Sequence, residues 1–371
     1  MSTYTSSSNA TGGTAGSKTG GTAGSTAGTS NGTKTDGKNG TMNATMNATS
    51  MDATTRRPRL SGMTWLVWRQ HRAAFWTILA AAALSIAWMV YQRGQMTDYL
   101  DGHGYPAKPL SDGFQQYIDA FSSVAMGLGS IPILLGVFLG APLLAGDLES
   151  GTAKLVAAQS VSRTRWLATK LGLTGLVVVV ITVALSAVFN WWWSPVKGEP
   201  TVMDWTSTEG FNNTGPVPVA LTLLSVFGGV AIGVVLRRTL MAMVVTFGFV
   251  VIVELVWNEF VLSLGNVITL TTNKGVMAEN SYPSLPGNAY ELDSSYITST
   301  GDLLGWSTCS DQASDQAREL CLKKADVVGW SVDYLPMSQM NGMQWFGASI
   351  LFALTAGVVA FLFFWGRKRL V

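Results

Sequence analysis

The sequence has few of the side chains that carry out catalysis. Only two of its 371 residues are histidine, two are cysteine, and 12% are charged, against roughly 25% in soluble domains. Neither an HExxH nor a GxSxG motif is present. The one stretch that resembles a phosphate-binding loop has Ser17 where a glycine must precede Lys18. These absences exclude an ATPase and the hydrolases that use those motifs, so we expect no catalytic or metal-binding residues in this chain.

What the sequence has instead is long apolar runs. Hydrophobic residues make up 48% of the chain, and the mean hydropathy is +0.29. Residues 120–146 and 171–196 contain no charged side chain, and each run exceeds the ~20 helical residues that cross a hydrocarbon core. The pattern predicts an all-α polytopic membrane protein with six membrane-spanning helices. Their predicted bounds are 73–92, 122–146, 168–193, 216–236, 239–262 and 343–365.

Basic residues are concentrated in alternate connections between the predicted spans. The approach to the first span, the second-to-third and fourth-to-fifth connections and the C-terminus hold fourteen lysines and arginines, Lys170 among them. The other short connections hold three, which are Arg93, Lys108 and Lys197. Because positively charged connections stay on the cytoplasmic side, we expect a multi-pass protein of the plasma membrane with both termini in the cytoplasm.

Residues 1–60 are predicted to be a disordered, low-complexity tail. They consist mostly of Ser, Thr, Gly, Ala and Asn and have too little apolar surface to form a core. Residues 61–262 follow as one region that contains the first five spans, and this region is predicted to begin with an interfacial helix at 63–76. There Trp65 and Trp68 are interleaved with basic residues, a pattern typical of a helix lying on lipid headgroups.

The segment 263–342 is the large polar region between the fifth and sixth predicted spans, and the last span with its basic end follows at 343–371. Nine acidic and four basic side chains occur in the polar segment. Cys309 and Cys321 lie within it, in a region predicted to be outside the reducing cytoplasm. We therefore expect the two cysteines to form a disulfide bond.

Two acidic residues lie at the far end of the fifth apolar run. Glu254 follows residues 239–253, which carry no charge, and it lies about 24 Å along the helix from Arg238. An acidic residue inside a membrane faces protein or water rather than lipid. Glu254 and Glu259 are therefore candidates for a translocation path. The alternative is that both residues lie at the outer mouth of the membrane region and pair with hydrogen-bond donors at the membrane–water interface.

Glycines recur in two of the predicted spans. Glycine lets helices approach closely in a membrane, so we expect tight packing either within the chain or at the seam of a dimer. The glycines are Gly127, Gly129, Gly136 and Gly140 in the second span and Gly228, Gly229 and Gly233 in the fourth.

A patterned polar interruption separates the second and third predicted spans. Gly151 and Thr152 are typical of a helix start, and the negative charge of Glu149 suits a helix N-terminus. Residues 153–159 are predicted to form a short helix. Ser162 is placed to cap the helix that leads into the third span. A short helix along a membrane face suits docking into a groove of another protein.

This order of residues resembles the loop between the second and third membrane helices of ABC-2-type transporter permeases. In that family an acidic residue followed by Gly-Thr opens a coupling helix, and a Pro-Val-Ser-Arg-like segment leads back into the membrane. The matching residues are Glu149, Gly151, Thr152, Val161, Ser162 and Arg163. The resemblance implies that the loop contacts a separate ATPase. The expected contact residues are Glu149, Gly151, Thr152, Leu155, Val156, Gln159, Val161, Ser162 and Arg163.

The resemblance also implies the rest of an assembly. The chain would be the permease subunit of a bacterial ABC exporter, paired with a second copy or with a paralogue. ATP and Mg²⁺ would bind to the separate ABC ATP-binding subunit, so this chain would bind no cofactor, and no nucleic acid is expected. A large loop between the fifth and sixth spans also occurs among relatives of this exporter fold.

Two other functions fit the same features. A proton-coupled secondary transporter would use Glu254 as its proton site. A membrane sensor or assembly protein would use the segment 263–342 as a receptor. Co-purification of a nucleotide-binding subunit favours the exporter, whereas proton-coupled uptake without ATP favours the secondary transporter.

Overall fold

Six long helices form the main body of the protein. The computed structural model describes residues 63–151 and 162–369, and six helices in these residues are long and apolar enough to cross a membrane. The predicted six-span architecture is confirmed, whereas the tail predicted at 1–60 lies outside the described residues. We number the helices spans 1 to 6. They are Met63–His103, the segmented span 2 from Gln115 to Glu149, Arg163–Trp193, Val217–Leu236, Thr239–Phe260 and Met340–Arg369.

The bundle has two ends of different character. We call the end where span 2 stops and span 3 begins the basic end, because Arg165, Arg237 and Arg238 lie there. The opposite end is followed by residues 262–339, which contain a β-sheet, and we call it the sheet end.

Span 1 is a single helix of 41 residues. At 1.5 Å per residue it is about 60 Å long, roughly twice the thickness of a hydrocarbon core. No Gly or Pro occurs in residues 63–93, so nothing in this stretch breaks the helix. Residues 63–76, for which the sequence predicts an interfacial helix, form the first part of this continuous helix.

Span 2 is a succession of short helical segments rather than one regular helix. Pro132 and Pro142 lie in the first turns of two of these segments, where the missing proline N–H is tolerated. A π-helical turn between them widens the helix next to span 4. The segments are Gln115–Gly129, Ile131–Leu135, the π-helical turn Gly136–Gly140, and Ala141–Glu149.

Glycines bring the backbones of spans 2 and 4 together. A Cβ atom added at Gly229 would lie 2.6 Å from the carbonyl oxygen of Gly136. One added at Gly233 would lie 2.5 Å from the carbonyl oxygen of Ala141. No side chain fits at these distances, so glycine is needed for the helices to meet. Packing within the chain therefore accounts for the glycines at this contact, whereas a Cβ added at Gly127 or Gly129 would meet no atom within 4 Å.

Span 4 lies at the centre of the bundle. It packs against spans 2, 3, 5 and 6, and most of it is buried, in contrast to spans 1 and 5. Its sequence is apolar on every side, as expected for a helix surrounded by protein. The left-handed backbone of Arg237 (φ 56°) ends span 4, and Arg238 is extended before span 5 begins.

The region between spans 5 and 6 contains a four-stranded antiparallel sheet. The strands are β1 (Ile268–Thr271), β2 (Tyr290–Thr298), β3 (Leu303–Gly305) and β4 (Val327–Leu335), in the spatial order β1-β4-β2-β3. The helix Asp315–Lys324 precedes β4 and is capped by Ser314, whose Oγ accepts a hydrogen bond from the Ala317 N–H at 3.3 Å. The all-α description holds for the spans and omits this sheet, whose sequence signal is the runs of aromatic and β-branched residues.

The sheet covers a small apolar core of its own. Tyr296 of β2 is buried together with Cys309 and with Leu322 of the helix. The rings of Tyr296 and Trp330 lie 4.6 Å apart. Cys309 and Cys321, which the sequence predicts to pair, are joined by a disulfide bond. A core this small gains order from a covalent cross-link.

Candidate functional site at the basic end of the bundle

The loop predicted to contact an ATPase joins spans 2 and 3 at the basic end. Glu149, Gly151 and Ser162 are described in full, and Arg163 is the first residue of span 3. The other five predicted contact residues lie outside the described part of the chain. They are Thr152, Leu155, Val156, Gln159 and Val161.

Glu149 links the end of span 2 to the start of span 5. Its Oε2 accepts a hydrogen bond from the backbone N–H of Thr239 at 2.8 Å, and Thr239 is the first residue of span 5. The first N–H groups of a helix have no partner within the helix, and a carboxylate there is favoured by the helix dipole. The sequence places Glu149 at a helix N-terminus, and the helix that it caps here is span 5.

Gly151 lies just beyond the last helical turn of span 2. Its φ is +72°, in the left-handed region that glycine adopts readily. Ser150 precedes it, with its N–H bonded to the Gly146 carbonyl at 3.0 Å. This is the usual way for a helix to end. Gly151, predicted to help start a helix, therefore ends span 2.

Ser162 starts span 3 in the way the sequence predicts. Its backbone is extended, and its Oγ accepts a hydrogen bond from the Arg165 N–H at 3.4 Å. The hydroxyl thereby satisfies one of the unpaired N–H groups at the helix start.

An ion pair that the sequence reasoning missed joins spans 2 and 3 close to this loop. Asp147 of span 2 pairs with Lys170 of span 3. The Lys170 side chain is 0% exposed and that of Asp147 is 10% exposed. The sequence count treated Lys170 as one of the basic residues of a connection, whereas the structure buries it between helices.

The ion pair has two further contacts, a hydrogen bond to Asp147 and a cation–π contact of Lys170. Gln70 of span 1 donates from Nε2 to Oδ1 of Asp147 at 2.9 Å. The Lys170 ammonium lies 5.4 Å from the centre of the Trp166 ring, within the range of a cation–π interaction. Burying a charge is unfavourable unless it is paired and hydrogen-bonded. These neighbours meet that condition, so spans 1, 2 and 3 are joined by polar contacts here.

The sequence does contain a signal for this pair. Asp147 is the first charged residue after the charge-free run 120–146, and Lys170 is the last before the charge-free run 171–196. Consecutive spans run in opposite directions, so the two residues reach the same membrane depth. Opposite charges at matching depth on adjacent spans predict an ion pair.

Asp147 and Glu149 connect the last turn of span 2 to other spans, and we call this turn with its contacts the junction. Through Asp147 it is bound to spans 1 and 3, and through Glu149 to span 5. The loop 150–162 leaves this same turn. The residues from which the loop starts are therefore connected by polar contacts to three other spans.

The acidic residues predicted for a translocation path lie on span 5. Glu254 is half-buried and Glu259 is exposed. Neither has a hydrogen bond or ion pair with any residue in the described ranges, and the neighbouring Leu255 and Val256 are 66% and 52% exposed. The structure does not bring Glu254 together with the junction at the basic end. Glu254 lies one helical turn after the buried Val250, whereas Glu259 is on the exposed side of span 5.

The sheet end is held together by amide side chains that the sequence reasoning also missed. Gln344 of span 6 is buried, and its Nε2 donates to the carbonyl oxygens of Phe211 at 2.9 Å and Thr214 at 3.0 Å. Asn213 donates to the carbonyl of Ala125 in span 2 at 3.0 Å. The short helix Thr208–Phe211 is thus fixed between the spans. No cluster of three His, Cys, Asp or Glu side chains suited to a metal ion occurs among the described residues.

Residues 79–262, which contain most of span 1 and all of spans 2 to 5, match the model of a protein family described as ABC-2 membrane transporter related. Over these residues, about half of the chain, the protein belongs to that family of multi-pass membrane proteins. The resemblance to an ABC-2-type permease that rests on the second-to-third loop is confirmed. Comparisons with curated proteins and with solved structures find no match.

Proposed function

We propose that this protein is the membrane subunit of an ATP-driven exporter. The observation that carries the proposal is the family match over residues 79–262. The family suggests a permease without an active site of its own and implies an ABC ATPase as its general partner. The junction at the basic end supports the proposal, because it connects the loop 150–162 to four of the six spans.

The proposed assembly contains chains besides this one. A separate ABC ATP-binding subunit binds ATP and Mg²⁺, and this chain binds no cofactor. A second permease, either an identical copy or a paralogue, completes the membrane part. The exposed side of span 5, which carries Glu259, is the proposed surface for that second permease, and Glu259 and the half-buried Glu254 are proposed to line the translocation path between the two. A carboxylate surrounded by exposed apolar residues needs protein or water beside it.

In this proposal the basic end faces the cytoplasm. The charge asymmetry of the connections supports that orientation. The ATPase, which is cytoplasmic, then meets the loop 150–162, and the sheet lies outside the plasma membrane. Closure of the ATPase on ATP pushes the loop. Asp147 and Glu149 pass the displacement to spans 1, 3 and 5, which move with span 2.

Affinity purification of the full chain tests this proposal. We expect an ABC ATP-binding subunit to co-purify and ATP to drive transport. Leu155→Asp places a charge on the proposed contact and should lower the amount of bound ATPase by about tenfold or more. Thr201→Asp, at an exposed residue of the sheet end, is the matched control and should leave binding unchanged. Absence of the ATPase from the unchanged protein, or its full retention by Leu155→Asp, refutes the proposal.

A proton-coupled secondary transporter is the second candidate. The observation that favours it is Glu254, which is half-buried in span 5 and has no hydrogen bond or ion pair among the described residues. Under this alternative, uptake driven by a pH gradient without ATP should be lost in Glu254→Gln and kept in Glu259→Gln. Transport that stops when ATP is withdrawn, with the pH gradient maintained, contradicts it.

A further inference from the structure

The β-sheet at the sheet end has two edges, β1 and β3, and the β3 edge is protected. Strand β3 has only three residues and follows the exposed Asp302. The carbonyl of Gly305, at the end of β3, accepts a hydrogen bond from the Thr308 N–H at 2.8 Å. A short strand, a charged neighbour and a covering loop are common protections of an edge strand against pairing with another chain.

The β1 edge presents backbone groups that have no partner strand. The Thr272 N–H donates to the Trp330 carbonyl of β4 at 2.8 Å. In this antiparallel pair every second residue of β1, counted from Thr272, therefore bonds to β4. The N–H and C=O groups of Thr269 and Thr271, which lie between those residues, point away from β4. Among the described residues no hydrogen bond to these groups is found on that side, so they are available to another strand.

The side chains of β1 also favour pairing with another strand. Ile268, Thr269 and Thr271 are β-branched and exposed, and β-branched residues are typical of paired strands. Residues 260–273 contain no charged residue and no proline, which are the residues that commonly protect an edge. An exposed edge of this composition is suited to binding an added strand.

The distribution of charge indicates which chain supplies that strand. The segment 263–342 carries nine acidic and four basic side chains, so two copies of it repel each other over most of their surface. The uncharged stretch 260–273 can approach a copy of itself without this repulsion. Asp333, opposite Thr269 on β4, accepts a hydrogen bond from the Thr269 hydroxyl at 2.6 Å. A second copy of this chain is therefore the occupant that the edge fits.

The position of β1 in the chain supports the same occupant. Strand β1 begins shortly after the end of span 5, and exposed apolar side chains occur in both. They include Val256 and Phe260 of span 5 and Val267 and Ile268 at the start of β1. The exposed side of span 5 is the proposed surface for the second permease. One partner can therefore cover apolar side chains of the membrane part and of the sheet.

Two identical edge strands can meet symmetrically. In a two-fold symmetric contact the same patch of each copy faces the other. Two β1 strands that extend one sheet in this way run antiparallel. Thr269 and Thr271 of one copy then bond to the same two residues of the other copy, because these residues carry the outward N–H and C=O groups.

We propose that β1 pairs antiparallel with β1 of a second copy of this chain, so that the two sheets join into one across a homodimer. The inference deepens the proposed function, which leaves open whether the second permease is identical, and it rests on that function for the role of the dimer. The pairing itself rests on the β1 edge.

Cross-linking of the full chain in membranes tests the pairing. Thr271→Cys supplies the reactive thiol, because Cys309 and Cys321 are joined by a disulfide bond. A short bifunctional maleimide should then link two copies. Leu303→Cys is the matched control, since Leu303 is exposed on the β3 edge of the same sheet. We expect the cross-linked fraction to be about tenfold higher for Thr271→Cys than for Leu303→Cys.

Substitutions at Thr269, each combined with Thr271→Cys, test the backbone contact. Thr269→Pro removes the N–H that faces the free edge and leaves the hydrogen bonds to β4 in place, so it should abolish the cross-link. Thr269→Ala is the matched control, because it removes the same hydroxyl and keeps the N–H, and cross-linking should persist. Thr269→Lys keeps the N–H and brings like charges together across the contact, so it should also lower cross-linking.

Four results overturn the proposal. The first is equal cross-linking of Thr271→Cys and Leu303→Cys. The second is full cross-linking in both Thr269→Pro and Thr269→Lys. The third is equal loss in Thr269→Ala and Thr269→Pro, which assigns the effect to the hydroxyl instead of the edge. The fourth is a link from Thr271→Cys to a different chain, identified by mass spectrometry, which makes the partner a paralogue.

The cross-link forms without an ATPase, so its outcome is separate from that of the proposed function. If no ATP-binding subunit co-purifies and Thr271→Cys still links two copies, the exporter proposal fails and the pairing stands. If the ATPase co-purifies in a complex that holds one copy of this chain, as counted by native mass spectrometry, the pairing fails and the exporter proposal stands.

Discussion

Asp147, in the last turn of span 2, and Lys170, in span 3, form an ion pair that is almost completely removed from solvent. The two residues lie on either side of the loop 150–162, close to where that loop leaves and re-enters the bundle. Gln70 of span 1 adds a hydrogen bond to Asp147 at 2.9 Å. Spans 1, 2 and 3 are therefore joined by polar contacts next to this loop.

We predict that removing one charge of this pair destabilises the protein more than removing both. Asp147→Asn leaves the Lys170 ammonium buried without a counter-charge, a change that costs about 3–5 kcal/mol. Adding Lys170→Gln removes that charge and should restore most of the lost stability. Thermal unfolding in detergent, followed by the fraction of monodisperse protein, measures the difference. Equal destabilisation of the single and double variants would contradict the prediction.

Glu149→Ala should loosen the start of span 5 rather than the end of span 2. The change removes the carboxylate that accepts from the Thr239 N–H, so that N–H loses its partner at the start of the helix. Hydrogen exchange of residues 239–243 should accelerate. Ser162→Ala is the control, since it removes the cap of span 3 and should act on residues 163–166 instead. Unchanged exchange at 239–243 would show that the cap is not formed.

Replacing glycine by alanine should destabilise the protein at Gly233 and leave its stability almost unchanged at Gly127. Gly233→Ala forces a Cβ against the Ala141 carbonyl oxygen and should destabilise the protein by about 1–3 kcal/mol. Gly127→Ala meets no atom within 4 Å and should change stability by less than ~0.5 kcal/mol. Midpoints of thermal unfolding compare the two variants. A larger effect at Gly127 would mean that spans 2 and 4 do not pack as described.

Removing the disulfide should loosen the sheet end without preventing membrane insertion. Cys309 and Cys321 are twelve residues apart, and closing a loop of about that length stabilises by ~2–4 kcal/mol. In Cys309→Ser, limited proteolysis should cut between β3 and β4 sooner, while the amount of protein in the membrane stays the same. Two cysteines that alkylate freely in the native, unreduced protein would disprove the bond.

Labelling of single cysteines should establish the orientation. In a background with Cys309→Ser and Cys321→Ser, Ser111→Cys should react with a membrane-impermeant maleimide in intact cells. Ser150→Cys should be protected until the cells are permeabilised. The expectation follows from the basic residues at the end of the bundle that carries Ser150. Reaction of Ser150→Cys from outside would reverse the proposed topology.

The number and position of the spans follow from the sequence alone. Span 3 is predicted at 168–193 and ends at Trp193, and span 4 is predicted at 216–236 and runs Val217–Leu236. A bilayer requires about 20 consecutive apolar residues, a local property that charge-free runs report directly. Ser162 could be recognised as a cap for the same reason, because its partner Arg165 is three residues away.

The partners of charged and small residues were decided only by the tertiary structure. Asp147 and Lys170 are 23 residues apart, and Glu149 and Thr239 are 90 apart. Their pairing depends on which spans lie side by side, and the sequence of each span is nearly uniform in hydropathy. Gly127 and Gly233 look alike in the sequence, yet one has open space beside it and the other touches a backbone. Hydropathy determines that a helix enters the membrane, whereas shape and hydrogen bonding between helices determine which neighbour it has.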